Sequence, residues 1–188
     1  EWLTLLSVLI CIVLWLAWPR AFPTRAIVSI CVALLLCIMP MRMLDANSTS
    51  IVMLDVGQGD SFLVKSRGLT LLIDTGNNPR KLLAGLARHG VNRLDGVVIS
   101  HADDDHCGCL ADLRGVVSVD SVFVAKGLSS VGTDKVDDML KDAERLSSAS
   151  GIRELAAGDM IAIGSVCFKV ISPESLTDKG ENDDSICL

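Results

Sequence analysis

The sequence predicts a mixed α/β domain behind an N-terminal helical hairpin. Three observations carry this reading. Two uncharged apolar stretches stand at the front, strand-like and helix-like runs alternate from Ile51 onward, and the strand-like run Leu94 to Ser100 leads straight into a loop of imidazoles and carboxylates.

Half of the 188 residues are hydrophobic, and the mean hydropathy of +0.47 exceeds that of an ordinary soluble domain. The excess is local. Trp2 to Trp18 is seventeen residues without a charge, and Ala26 to Met39 is fourteen more. A bilayer span takes about 20 apolar residues, so the first stretch is just long enough. The second becomes so if Arg25 and Arg42 extend their charged ends to the interface. The first lacks the basic start and small-residue cleavage site of a secretory signal, and residues 1–44 read as a transmembrane hairpin, with 45–50 as a polar linker. The link Pro19 to Arg25 carries two arginines, which places it in the cytoplasm and the domain after Asp45 on the outer side of the cell membrane. The abrupt start at Glu1 reads as a piece of a longer, multi-pass protein.

Residues 1–45 hold three Arg against Glu1 and Asp45, so of the net charge of −6 residues 46–188 carry −7. An acidic domain argues against a basic nucleic-acid surface, although bound divalent cations reverse the sign locally. The seven cysteines are scattered, with no Cys-x-x-Cys pair.

Ile51 to Leu54 reads as a strand, Asp55-Val56-Gly57-Gln58-Gly59-Asp60 as a turn, Ser61 to Lys65 as a second strand, and Leu69 to Ile73 as a third, an antiparallel set. Gly57 and Gly59 provide positive φ or close backbone approach, with Asp60 at the edge of a cleft. Asp74 to Pro79 turns the chain into a helix over Arg80 to His89, with Leu82, Leu83, Leu86 and Ala87 on one face and Gly90 as its stop. The β-branched Val97, Val98 and Ile99 suit a strand buried on both faces. A helix from about Asp105 to Leu113 follows, then a strand over Ser118 to Val124. Val136, Met139, Leu140 and Ala143 mark an amphipathic helix over Val136 to Leu146. Met160 to Ile163 and Val166 to Ile171 form a hairpin, and Ser185 to Leu188 opens a further strand.

The loop Ser100-His101-Ala102-Asp103-Asp104-Asp105-His106-Cys107-Gly108 is where chemistry concentrates. His101, Asp103, Asp105 and His106 offer imidazole nitrogen and carboxylate oxygen, donors for divalent cations that activate water. A solvated acidic turn is the plain alternative. Cys107 and Cys109 flank Gly108 as small residues at a tight helix start, with an extra metal ligand or a disulfide as the less favoured roles. His89, at a helix end, complements the helix dipole and is assigned no chemistry.

Three blocks in order, Met53 to Ser61, Leu71 to Gly76 and Ser100 to Gly108, resemble the metallo-β-lactamase superfamily. More narrowly, the Asp-Val-Gly-Gln-Gly-Asp turn, the strand ending in Asp74-Thr75-Gly76, the His-x-Asp-x-Asp-His loop and the apolar hairpin resemble the ComEC-type DNA-internalization competence proteins. Glu181-Asn182-Asp183-Asp184-Ser185 is similar to that family's Asn-Asp-x-Ser segment. The resemblance implies the first half of a four-layer αββα sandwich over residues 51–188, truncated at its C-terminus. It implies two divalent metal ions, manganese or zinc, with His101 on the first and Asp105 and His106 on the second. Asp103 stands where the commoner pattern has His, and either supplies an oxygen ligand or leaves that metal weakly held. Asp105 and Asp74 are the implied catalytic carboxylates, Asp74 orienting ligands beside the site, unless it merely caps its turn. The implied activity is metal-dependent phosphodiester hydrolysis in DNA uptake. The membrane, DNA as single strand or duplex, and other competence-machinery proteins are the implied partners. The pattern's further ligands, two His and a bridging Asp, belong to later loops, and no histidine follows His106, so the fragment alone is expected to be inactive. A metallo-hydrolase of small esters or lactams, and a metal-free scaffold of a DNA channel, are the competing readings.

Overall fold

The computed structural model describes residues 2–17, 27–36, 48–176 and 182–188, divided between two compact units, Glu1–Asp45 and Ala46–Leu188. The arginine-bearing link 19–25, Arg42, residues 45–47 of the 45–50 linker and Glu181 lie outside the described residues.

The first unit holds helix α1 (Trp2–Ala17) and helix α2 at 27–36. Among the described residues, no helix is long and apolar enough to cross a membrane. At 1.5 Å per residue, the 16 residues of α1 rise about 24 Å, short of a hydrocarbon core of about 30 Å. The side chains described in both helices are exposed, Leu9, Leu16 and Leu36 among them.

The second unit is built on one mixed sheet. Strands β1 (Thr49–Met53), β2 (Phe62–Ser66) and β3 (Leu69–Ile73) pair antiparallel, as the short turns between them require. The chain then crosses over through helix α3 (Pro79–Arg88), which Asn78 caps by accepting from the Lys81 amide. It returns parallel to β3 as β4 (Arg93–Leu94) and β5 (Gly96–Val98), which lie on one line because both meet β6 (Ser118–Ala125) at the same offset. Asp95 interrupts that line, its carboxylate accepting from the Thr70 amide at 2.7 Å. After β6 and helix α5 (Asp134–Leu146), strand β7 (Ser147–Leu155) pairs parallel with β6. Strands β8 (Met160–Ile163) and β9 (Val166–Lys169) form a separate antiparallel hairpin.

Adjacent residues of the central strands feed opposite cores, as a period of two demands. Leu63, Leu72 and Val97 pack with Leu82 and Leu86 of α3 and Met139 and Ala143 of α5. Val64, Leu71 and Val98 pack with Phe123 and with Ile161 and Ile163 of the hairpin. The layers are therefore helices, sheet, second sheet, with the central strands buried on both faces.

Three elements depart from expectation. Strand β7 is absent from the reading because Ser147-Ser148-Ala149-Ser150-Gly151 has no apolar alternation; pairing with buried β6 makes it a strand. The helix expected over Asp105 to Leu113 is one turn, α4 (Asp104–Cys107), followed by a 3-10 turn at Ala111–Leu113. The Cys109 amide donates to the Gly76 carbonyl at 3.1 Å and to Thr75 Oγ1 at 3.2 Å, and so leaves the helical ladder. The final segment makes a single bridge, Cys187 with Ser172, while the Ile186 amide donates to the Ser100 carbonyl at 2.9 Å.

Candidate metal centre

Three turns meet at the edge where β1, β3 and β5 end: Asp55 to Asp60, Asp74 to Asn78, and Ser100 to Cys109. Gly57 and Gly59 both have positive φ. At Gly59 a Cβ would lie 1.7 Å from the Asp105 carbonyl oxygen, so the glycine turn is seated directly on the backbone of a candidate ligand. Asp60 is half-buried on that turn.

Asp74 is the hub. It is 4% exposed, and its backbone is left-handed, at φ 57°, a conformation that persists only where its surroundings hold it. Its amide donates to the Val98 carbonyl at 2.8 Å, and its own carbonyl accepts from Ser61 Oγ at 2.9 Å. The carboxylate takes three donors: the Ser100 amide on Oδ1 at 2.7 Å, Ser100 Oγ on Oδ2 at 2.7 Å, and His106 Nδ1 on Oδ2 at 2.9 Å. Thr75 completes the latch, its amide and hydroxyl both donating to the His106 carbonyl, at 2.6 and 3.0 Å.

The hydrogen bonds assign the imidazole tautomers. Ser100 Oγ lies 3.0 Å and Ser185 Oγ 3.3 Å from His101 Nδ1. The Ser100 proton goes to Asp74 and the Ser185 proton to the Asn182 carbonyl, at 2.7 Å. His101 Nδ1 is therefore the donor. His106 Nδ1 likewise carries its proton, because it faces a carboxylate oxygen. Burial, and then the neighbouring His106, push the His101 pKa below its ordinary value and keep the ring neutral. The Nε2 lone pairs of both rings, whose centroids are 4.0 Å apart, are left free.

Those lone pairs face carboxylates. His101 Nε2 is 3.3 Å from Asp103 Oδ2, and His106 Nε2 is 4.0 Å from Asp105 Oδ2. Two acceptors brought together call for a cation between them. The donor types suit a divalent cation; donors around a tetrahedral ion bound at about 2.0–2.1 Å stand roughly 3.4 Å apart, a spacing that the His101–Asp103 pair approaches and the His106–Asp105 pair exceeds. Closure is incomplete, since among the described residues no group of three or more His, Cys, Asp or Glu is arranged to hold a metal ion.

The structure brings His101, Asp103, Asp105 and His106 together over Asp74. Asp103 differs from the other donors: Lys135 of α5 donates to its Oδ1, and this ammonium holds the Asp103 carboxyl below its ordinary pKa. Burial pushes the thiols of Cys107 and Cys109 up to about 12 and about 11, and both cysteines are free, as packing residues would be. His89 stands at the C-cap of α3, where its carbonyl accepts from Lys65 at 3.1 Å.

Sequence reasoning did not single out Ser100, Ser185 or Lys135. Ser100 lies between the buried strand and His101, a position that could have flagged it. Lys135 precedes the helix expected over Val136 to Leu146, and its sequence carries no sign of its partner.

The family model of the metallo-beta-lactamase superfamily matches residues 54–152. The chain is 30% identical over 157 residues to ComE operon protein 3 of Bacillus subtilis (strain 168), covering 72% of this chain and 20% of that protein. It is 34% identical over 109 residues to Competence protein ComA of Neisseria gonorrhoeae, covering 56% and 16%. The chain thus spans a fifth or less of these relatives' lengths, and both support the ComEC-type resemblance of the three blocks. Among solved structures, the metallo-beta-lactamase GOB-18 of Elizabethkingia meningoseptica superposes with a TM-score of 0.50 at 18% identity, covering 66% of this chain and 48% of that one, a likeness of fold alone.

Proposed function

The chain belongs to the metallo-beta-lactamase superfamily, and from that premise we propose that it is the hydrolytic domain of a ComEC-type DNA-uptake protein, a metal-dependent phosphodiesterase or nuclease anchored in the cell membrane. The observation that carries the reading is the pair of imidazoles anchored through Nδ1, with Nε2 aimed at Asp103 and Asp105.

Membership of this superfamily implies use of divalent metal. Here His101, Asp105 and His106 would hold it, with Asp103 as an oxygen donor that shifts preference toward harder ions such as manganese over zinc. A bound divalent cation supplies a Lewis acid for a phosphoryl oxygen and acidifies a water, and a pair of ions about 3.5–4 Å apart does both. The chain's own groups prepare that chemistry. Asp74 fixes the His106 tautomer and ring plane. Ser100 ties both rings to the same carboxylate, and the Gly59 turn fixes the backbone of Asp105.

The −7 charge of residues 46–188 supports an encounter with DNA phosphates through bound cations rather than through a basic groove. Membrane anchoring is supported by the exposed apolar side chains of α1 and α2, and the outer-side placement by the two arginines of the 19–25 link. The test is nuclease activity of the intact gene product with manganese. His101→Ala and Asp105→Ala are each expected to lower it at least about a hundredfold; undiminished activity in both refutes the reading.

A further inference from the structure

Lys135 is the one basic side chain described in contact with the four candidate ligands, and the function just proposed gives it no role. It projects from the first turn of α5, which Thr133 caps by accepting from the Val136 amide, and its ammonium donates to Asp103 Oδ1. The other oxygen of the same carboxylate, Oδ2, is the one 3.3 Å from His101 Nε2. Asp103 therefore stands between a fixed monocation and the lone pair of a candidate metal ligand.

The seat of Lys135 is built into the fold. The α5 face behind it is anchored by the buried Val136, Met139 and Ala143, all in the core that also holds Leu110 and Leu113 beyond the loop. The ammonium thus does not rely on a long excursion of a mobile segment to reach Asp103. A monocation held there repels a dication at the adjacent His101–Asp103 position, and by charge alone satisfies much of what a metal would do for that carboxylate. The His106–Asp105 position has no such neighbour among the described ion pairs.

We propose that Lys135 is a specificity-determining residue that sets the metal occupancy of the loop. As an internal cation on Asp103, it weakens divalent binding at the His101–Asp103 position and leaves the His106–Asp105 position as the stronger one. The proposal rests on the loop being a metal site. It says that the two positions are unequal and names the side chain that makes them so. Removing the charge also frees the Asp103 side chain, which must then be ordered on binding. The repulsion removed is larger at any effective dielectric below that of bulk water, so the charge effect decides the sign.

The test is titration of the intact gene product in detergent with Mn2+, free ion being counted by electron paramagnetic resonance. Lys135→Met, which keeps the length of the side chain, is expected to tighten the weaker site roughly tenfold or more. Lys135→Arg, which keeps the charge, should titrate like the parent. In an Asp103→Asn background, Lys135→Met should change the weaker site much less, the pair forming a double-mutant cycle. Circular dichroism of each variant shows whether the fold is intact, and Lys135→Gln serves as a second neutral variant should Met unfold the chain. Unchanged or weakened Mn2+ binding in the folded neutral variants overturns the role of Lys135 while leaving the metal site standing. Absence of Mn2+ binding in every form overturns both.

Discussion

Across 32 residues of sequence, the Asp74 carboxylate accepts from Nδ1 of His106 at 2.9 Å, and the same oxygen accepts from Ser100 Oγ at 2.7 Å. One buried carboxylate in left-handed backbone thus sets the orientation of both imidazoles. Asp74→Asn keeps the shape, tolerates positive φ, and loses the charge that faces His106 Nδ1. It is expected to remain folded and to bind Mn2+ or Zn2+ about 10–100-fold more weakly. Asp74→Ala removes the three acceptor contacts as well and is expected to cost about 3–5 kcal/mol of stability. Calorimetric metal titration and urea unfolding of the two variants check this. Equal stability of both would mean that the hub holds nothing together.

The approach of Gly59 to Asp105 is a second point where the fold admits no side chain. A Cβ there would lie 1.7 Å from the Asp105 carbonyl oxygen at φ +89°, whereas at Gly68, φ +80°, nothing lies within 4 Å. Both substitutions to Ala carry the conformational penalty of positive φ, about 1–2 kcal/mol, but only Gly59→Ala must also displace the ligand loop. Thermal unfolding should place Gly59→Ala at least about 2 kcal/mol below Gly68→Ala.

Cys107 and Cys109, with thiols pushed up to about 12 and about 11 by burial, carry little thiolate at pH 8, on the order of one part in 10^3 to 10^4. Iodoacetamide at that pH, followed by peptide mass mapping, is expected to label the exposed Cys167 and Cys187 and to spare Cys107 and Cys109 until the domain unfolds. Rapid native-state labelling of Cys109 would make it a candidate ligand after all.

Burial lowers the pKa of His101 below its ordinary value of about 6.5. The unfolded chain therefore binds a proton at this residue at higher pH than the folded chain does, and stability rises with pH across that window. The contribution is complete above about 6.5 and is lost as the pH falls below it, the reverse of a histidine that gains a partner. Urea unfolding at pH 7.5 and pH 5.5 should show the metal-free chain less stable at the lower pH, and His101→Gln should flatten the difference. Asp103, held below 3.8 by Lys135, titrates in a lower window and does not confound the comparison.

Much of the fold was legible in the sequence because local patterns there agree with tertiary ones. The third strand has the bounds Leu69–Ile73 that its apolar run and flanking turns predict. Leu82 and Leu86 are buried where helical spacing puts them, and the pairs Leu71–Leu72 and Val97–Val98 divide between two cores, as a doubly buried strand requires. The grouping of His101, Asp103, Asp105 and His106 was legible too, since six residues of one loop cannot separate far. Other features needed the folded chain. Ser147 to Gly151 pairs as a strand only because β6 offers buried, unpaired backbone on that side. The helix after Asp103 ends as the Cys109 amide leaves the ladder for the Gly76 carbonyl and the Thr75 hydroxyl. Asp74, read as either turn cap or ligand support, takes Ser100 and His106 on its carboxylate, contacts that only the folded chain brings together. Lys135, one lysine on a helix of solvated charges, acquired a partner only when α5 docked against the metal loop. Residue types and local spacing determine which donors exist and that they share a loop; the packing of three turns and one helix decides which lone pairs are free and which carboxylate is already held.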